Sequence, residues 1–210
     1  MLGITRSFKL AFYRLLKKKI DVKLGIYGPT NVGKTTLANR LTKDWVGDEI
    51  GKVSEIPHET REILKMERME VADGWKRFRI DLIDTPGIET KVDYREFMKY
   101  GLSEVEAKRR AREATQGVLD SIKWLSNLDA VLVVMDSTVD PYTQVNITIL
   151  GNLEARKIPT LIVANKIDLP TSDPDRIRQA FPNRRFVAIS AKEGRNIEEL
   201  YENLFDMVIS

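Results

Sequence analysis

The sequence predicts an α/β domain, a mostly parallel, doubly wound six-stranded sheet with one antiparallel edge strand. Three observations carry that expectation. An apolar-leaning run over residues 22–28 passes through a glycine-bounded loop into a helix-forming stretch, residues 36–41. Two strand-length runs, about 61–71 and 76–83, flank Ala72-Asp73-Gly74, and Asp-Gly between such runs signals a hairpin. From Ala130 onward strand and helix alternate to the end, as parallel crossover units do.

Taken in order, residues 5–19 read as an amphipathic helix, with Phe8, Phe12, Leu15 and Leu16 at helical spacing. Residues 1–20 carry +6 and no acid, whereas the remaining body, 21–210, carries −3. The chain therefore divides into a basic N-terminal helix, 1–20, and a mildly acidic domain, 21–210. Such an arm suits docking on the domain, an anionic membrane or RNA. Ser103 with Glu106 forms a capping box that opens a helix expected to reach about Asn127. Ala107, Ala111, Ala114, Val118, Ile122 and Leu125 keep steps of three or four, so one face packs on the sheet and Lys108, Arg109, Arg110 and Arg112 lie off it. Residues 130–135 are a fully buried strand, followed by a helix near 142–156, a strand at 160–164, a helix around 174–181, a strand at 185–189 and a helix at 197–208.

Composition narrows the chemistry. Cysteine is absent, which excludes disulfides, thiolate metal sites and a cysteine nucleophile. No run approaches the roughly 18 apolar residues of a membrane span, and no signal-peptide pattern occurs, so a cytoplasmic location is expected.

Residues Gly28-Pro29-Thr30-Asn31-Val32-Gly33-Lys34-Thr35 fit G-x-x-x-x-G-K-T between a strand and a helix that opens at Thr36. The glycines let backbone N–H groups curl around phosphate oxygens, and the helix adds its positive end. Lys34 would reach the β- and γ-phosphates, and the Thr35 hydroxyl would bind Mg²⁺. Asp84, at a strand tip in Asp84-Thr85-Pro86-Gly87, is placed to hold Mg²⁺ through water, and Gly87 lets its N–H approach a γ-phosphate. In Asn165-Lys166-Ile167-Asp168, the Asp168 carboxylate can accept from the N1–H and exocyclic amine of guanine, a donor pair adenine lacks, while the Lys166 stem lies over the base. In Ser190-Ala191-Lys192, the Ala191 N–H is expected to reach the guanine O6.

In this order the motifs resemble the small GTPase domains of the translation-factor class, and within it the Era-like group, over about residues 22–208. The resemblance implies a P-loop NTPase G domain that takes GTP or GDP with Mg²⁺ and hydrolyses GTP, with no counterpart here of Era's RNA-binding KH domain. It implies that Thr60 is the switch I threonine joining Mg²⁺ in the GTP state, with switch I at about 45–60 and switch II at about 87–102. Lys34, Thr60, Gly87 and Asn31 would carry the catalytic roles. Ile88 stands where many GTPases have a water-orienting glutamine, so intrinsic turnover should be slow. Asn31 matches an asparagine that binds K⁺ in Era-like and tRNA-modification GTPases, which implies potassium-stimulated hydrolysis. Kinship implies a ribosomal particle or RNA as partner. The alternative is a GTP-gated recruitment module with negligible turnover, acting through residues 1–20 and the aromatic-rich switch II (Tyr94, Phe97, Met98, Tyr100) on a membrane or a protein.

Overall fold

Leu24 and Ile26 in the first strand belong to one apolar cluster and Tyr27 to another, because successive strand residues face opposite sides of a sheet. That alternation sorts the core into two layers. The structure, a computed structural model, describes residues 21–45, 64–73, 76–84, 95, 98, 99, 101–112 and 125–209. Its elements are β1 (Asp21–Tyr27), α1 (Lys34–Trp45), β2 (Leu64–Asp73), β3 (Lys76–Asp84), β4 (Ala130–Asp136), α2 (Gln144–Ala155), β5 (Thr160–Asn165), α3 (Pro174–Ala180), β6 (Arg185–Ala188) and α4 (Ile197–Ile209).

The sheet order is β2-β3-β1-β4-β5-β6, parallel throughout except for the antiparallel β2–β3 pair at one edge. The expected six strands and antiparallel edge are both present. From β1 the chain crosses to the edge strand β2, returns by β3 to the side of β1, and then winds outward the other way through β4, β5 and β6. The strand order therefore reverses beside β1, and such a reversal opens a crevice at the carboxyl ends of the strands. On one face Leu37, Leu41, Leu200 and Leu204 of α1 and α4 pack on Leu24, Ile26, Leu132 and Val134. On the other, Val145, Ile149 and Leu153 of α2 and Ile177 of α3 pack on Tyr27, Val131, Val133 and Met135. Sandwiched this way, β4 and β5 are buried on both faces, which is why their sequences are continuously apolar rather than alternating.

Boundaries shift in places. The hairpin pairs Asp73 with Lys76, so β2 (Leu64–Asp73) continues past the expected end at 71, and an irregularity in register lies between Met66 and Met69. Residues 61–63 of the expected strand lie outside the described residues. The Ser103–Glu106 capping box forms as expected: the Glu106 N–H donates to Ser103 Oγ at 3.4 Å and the Ser103 N–H to Glu106 Oε2 at 3.2 Å. It opens a helical segment, 104–112, in which Ala107 and Ala111 are buried. Residues 113–124 lie outside the described residues. Residues 125–127, expected as the end of that helix, instead form a 3-10 turn (Leu125–Asn127) that drives Leu125 and Leu128 into the core. A side chain at Gly25 would sit 2.5 Å from Leu128, so the glycine makes room for that turn. The arm 1–20 also lies outside the described residues, and no helix among those described is long and apolar enough to cross a membrane.

Candidate functional site

Backbone shape comes first at this site. Between β1 and α1, Gly28 has φ +151° and Gly33 φ +93°. A Cβ on Gly28 would lie 2.2 Å from the Val134 carbonyl oxygen, and one on Gly33 would lie 2.4 Å from Asn165 Nδ2. Any side chain there would fill the cradle, so glycine is required at both. Asn31, exposed at the turn, sits in the left-handed region at φ +59°, which asparagine tolerates better than most residues. The first bond of α1 runs from the Leu37 N–H to the Gly33 carbonyl, so the helix starts at the loop. Its first turn carries no acidic residue, so nothing on the helix competes with an anion at its positive end.

Lys34 is 6% exposed and donates from Nζ to the Pro29 carbonyl at 2.8 Å, arching its charge across the loop. Thr35 and Thr36 follow, half-buried, in the first turn of α1. Asp84 ends β3 in register with Ile26 of β1, two residues before Gly28, which places its position at the same carboxyl edge. A glycine cradle, a buried lysine at a helix start, a threonine hydroxyl and a neighbouring strand-end carboxylate fit a nucleoside phosphate with Mg²⁺. Thr60 and Gly87 lie outside the described residues.

The second half of the site is built from side chains. Asn165, 3% exposed at the tip of β5, donates from Nδ2 to the Val32 carbonyl at 2.8 Å and accepts the Ala191 N–H on Oδ1 at 2.9 Å. One amide thus ties the phosphate loop to the loop after β6. This corrects the expectation for Ala191: its N–H points at Asn165 rather than at a base, because the buried amide oxygen needs a donor. Lys166 has φ +73°, and its Nζ pairs at 2.6 Å with Asp136 Oδ2 at the end of β4, so its stem is held at a fixed angle. Burial raises the Asp136 pKa, but hydrogen bonds from Lys166 and from Thr138 outweigh it and hold the carboxyl below its usual range.

Asp168 stands beside Ser190. The Ser190 hydroxyl donates to its carboxylate and is the main cause that keeps its pKa below the usual range, with Lys192 and Arg195 adding to the effect. Asp168 is therefore an acceptor only, as a two-donor partner requires. Lys192 is exposed, and its backbone carbonyl accepts from Arg40 Nη2 at 3.1 Å. So Gly28, Pro29, Val32, Gly33, Lys34, Asn165, Lys166, Asp168, Ser190 and Ala191 form one connected set. Thr30 and Asn31 complete the loop. The sequence reading missed Asp136, Ser137 and Arg40. Ser137 Oγ donates to the Asn165 carbonyl at 2.6 Å and bolts β4 to the base of this loop. Asp136, the residue right after the apolar run 130–135 at a strand tip, was the one of the three with a local signal.

The sequence profile described as "50S ribosome-binding GTPase" matches residues 23–166. Among curated proteins, the chain is 31% identical over 200 residues to the tRNA modification GTPase MnmE of Chlorobium chlorochromatii, covering 93% of this chain and 36% of that protein. It is 29% identical over 191 residues to the GTPase Era of Geotalea daltonii, covering 88% and 54%, and 29% identical over 190 residues to the GTPase Der of Nautilia profundicola, covering 87% and 36%. The chain thus spans about a third to a half of the length of these relatives. A point variant of Aquifex aeolicus Era bound to GDP·AlF4⁻ superposes with a TM-score of 0.62 at 23% identity, over 90% of this chain and 57% of that one. Era in complex with MgGDPNP and nucleotides 1506–1542 of 16S ribosomal RNA gives 0.61 at 24%, over 89% and 56%. These two likenesses speak for the fold.

Proposed function

Because this chain belongs to the family of 50S ribosome-binding GTPases, we propose that it binds GTP and GDP with Mg²⁺, hydrolyses GTP, and acts as a nucleotide-dependent switch in ribosome or RNA maturation. The observation that carries the reading is Asn165, three residues before Asp168 in the chain, whose amide ties the phosphate loop at Val32 to the 190–194 loop at Ala191. That arrangement brings a phosphate cradle and a two-acceptor base reader to one edge of the sheet. The Lys34 ammonium would stabilise charge developing on the phosphate oxygens. Mg²⁺, when bound, supplies further neutralisation of that charge, and Thr35, Thr60 and Asp84 are the residues that would hold it. Thr60 and Gly87 are assigned to sense the γ-phosphate. The family's ribosome-binding description and the 16S ribosomal RNA held by one Era structure support the ribosomal part.

Replacing Asp168 with Asn tests the base reading. An amide presents one donor and one acceptor, so guanine loses a partner while xanthine, with a carbonyl at C2, gains one. Asp168→Asn should lower GDP affinity by at least about a hundredfold and raise XDP affinity, measured by fluorescent-nucleotide displacement. Unchanged GDP affinity would remove Asp168 from the site.

Asn31 carries the finer proposal. Its exposed, left-handed position at the loop turn suits a ligand to a monovalent cation between the phosphates, offsetting the missing glutamine at Ile88. GTP turnover should rise at least about tenfold in KCl over NaCl and lose that difference in Asn31→Ala. Equal rates in both salts would end the potassium reading.

A further inference from the structure

Arg40 lies on α1, the helix that starts at the glycine loop, yet its guanidinium reaches the loop after β6. Nε donates to the Ala191 carbonyl at 3.3 Å and Nη2 to the Lys192 carbonyl at 3.1 Å. The group packs under Gly194, where an added Cβ would meet Nη1 at 3.3 Å and Cζ at 3.4 Å. The loop itself is tightly wound: the Gly194 N–H donates to the Ser190 carbonyl at 2.8 Å and the Ser190 N–H to the Arg195 carbonyl at 3.2 Å.

The consequence follows from peptide geometry. In a trans peptide the N–H points opposite to the preceding carbonyl. Drawing the carbonyls of Ala191 and Lys192 onto Arg40 turns the N–H groups of Lys192 and Glu193 to the other side of the loop. The Glu193 N–H marks that side, since it donates at 3.0 Å to Ser190 Oγ, the hydroxyl that also donates to Asp168. The Lys192 N–H faces the same way, and among the described residues no acceptor takes it. On a guanine whose N1–H and 2-amino group meet Asp168, the next group along the same edge is O6, an acceptor.

We propose that Arg40 is a positioning residue for base recognition: by holding two carbonyls of the 190–194 loop away from the base, it aims the Lys192 N–H at the 6-oxo group of a purine. This rests on the guanine reading above. It separates the labour of the site, with Asp168 reading the 2-amino and N1 positions and Arg40, acting through a backbone amide, setting the preference at position 6. Two carbonyls turned back toward O6 would repel it, so the arginine's work is as much to remove acceptors as to present a donor.

Affinities for GDP, IDP and 6-thio-GDP test this on the full chain. IDP lacks only the 2-amino group, and 6-thio-GDP replaces only O6 with a poor acceptor. In Arg40→Met, which keeps the apolar stem, the GDP preference over 6-thio-GDP should fall about fivefold, one hydrogen bond's worth, while the preference over IDP stays as in the wild type. Arg40→Lys, which keeps the charge but cannot span both carbonyls, should fall in between, and it stands in should the methionine variant not fold. Equal weakening of all three nucleotides would make Arg40 a purely structural residue and overturn the proposal while leaving the guanine reading intact. A wild-type protein with no preference for GDP over IDP would overturn the guanine reading, and this proposal with it.

Discussion

The glycine loop after β1 and the loops after β5 and β6 close the same site by different means. Residues 28–33 are shaped by backbone: two glycines at positive φ, with a carbonyl and an amide standing where a side chain would go. Residues 165–168 and 190–195 are shaped by side chains, Asn165 and Ser190 reaching from one loop to the other and Asp136 and Arg40 crossing from other elements. A backbone-shaped loop announces itself in a short motif, whereas a cross-braced loop depends on partners up to about 150 residues away.

The contrast predicts how each half breaks. Gly28→Ala should be the most damaging single change, because the obstacle is the Val134 carbonyl of a central strand and cannot swing aside. A loss of about 3 kcal/mol in urea unfolding is expected, together with loss of nucleotide binding. Retained binding would show that the loop has slack the two glycines do not reveal. Asn165→Ala comes next, leaving the Val32 carbonyl and the Ala191 N–H without their partner. About 2 kcal/mol is expected, with nucleotide dissociation accelerated for phosphate and base contacts together, since one amide braces both. If only base selectivity changed, the phosphate loop would be independent of its neighbour.

The smallest effect belongs to the Asp136–Lys166 pair, whose side chains are 13% and 29% exposed. The Asp136 pKa is depressed in the folded state, so its contribution is present above the ordinary carboxylate range of about pH 4 and is lost as pH falls through the lowered value. Asp136→Asn should therefore cost no more than about 1 kcal/mol at pH 7 by denaturant titration, and the gap to wild type should close in acid. A gap that persisted at pH 2 would mean that Asp136 works through packing and not through charge.

Much of this was open to reading from the chain alone. Gly28, Gly33, Lys34 and Thr35 were legible because the conformations they permit are local, and a strand before and a helix after supply the whole context. Alternation of apolar runs and helical faces pointed to the layered α/β order, and the Asp73-Gly74 step placed the antiparallel edge, though its first strand ends at Asp73 and not at 71. The 125–127 turn was misread as helix because Leu125 satisfies helical spacing equally well; only the docking of Leu125 and Leu128 in the core distinguishes the two.

What the sequence determined by itself, then, was the set of groups proposed to hold a guanine nucleotide and their order along strand tips, because each motif is a short-range backbone or side-chain requirement. Only the tertiary structure decided how those groups are aimed: that Asn165 claims the Ala191 N–H, that Asp136 holds Lys166, and that Arg40 turns the carbonyls of a distant loop. Hydrogen-bond partners so far apart in the chain leave no periodicity or spacing to read, since their meeting depends on how the whole sheet brings α1, β4, β5 and β6 to one edge.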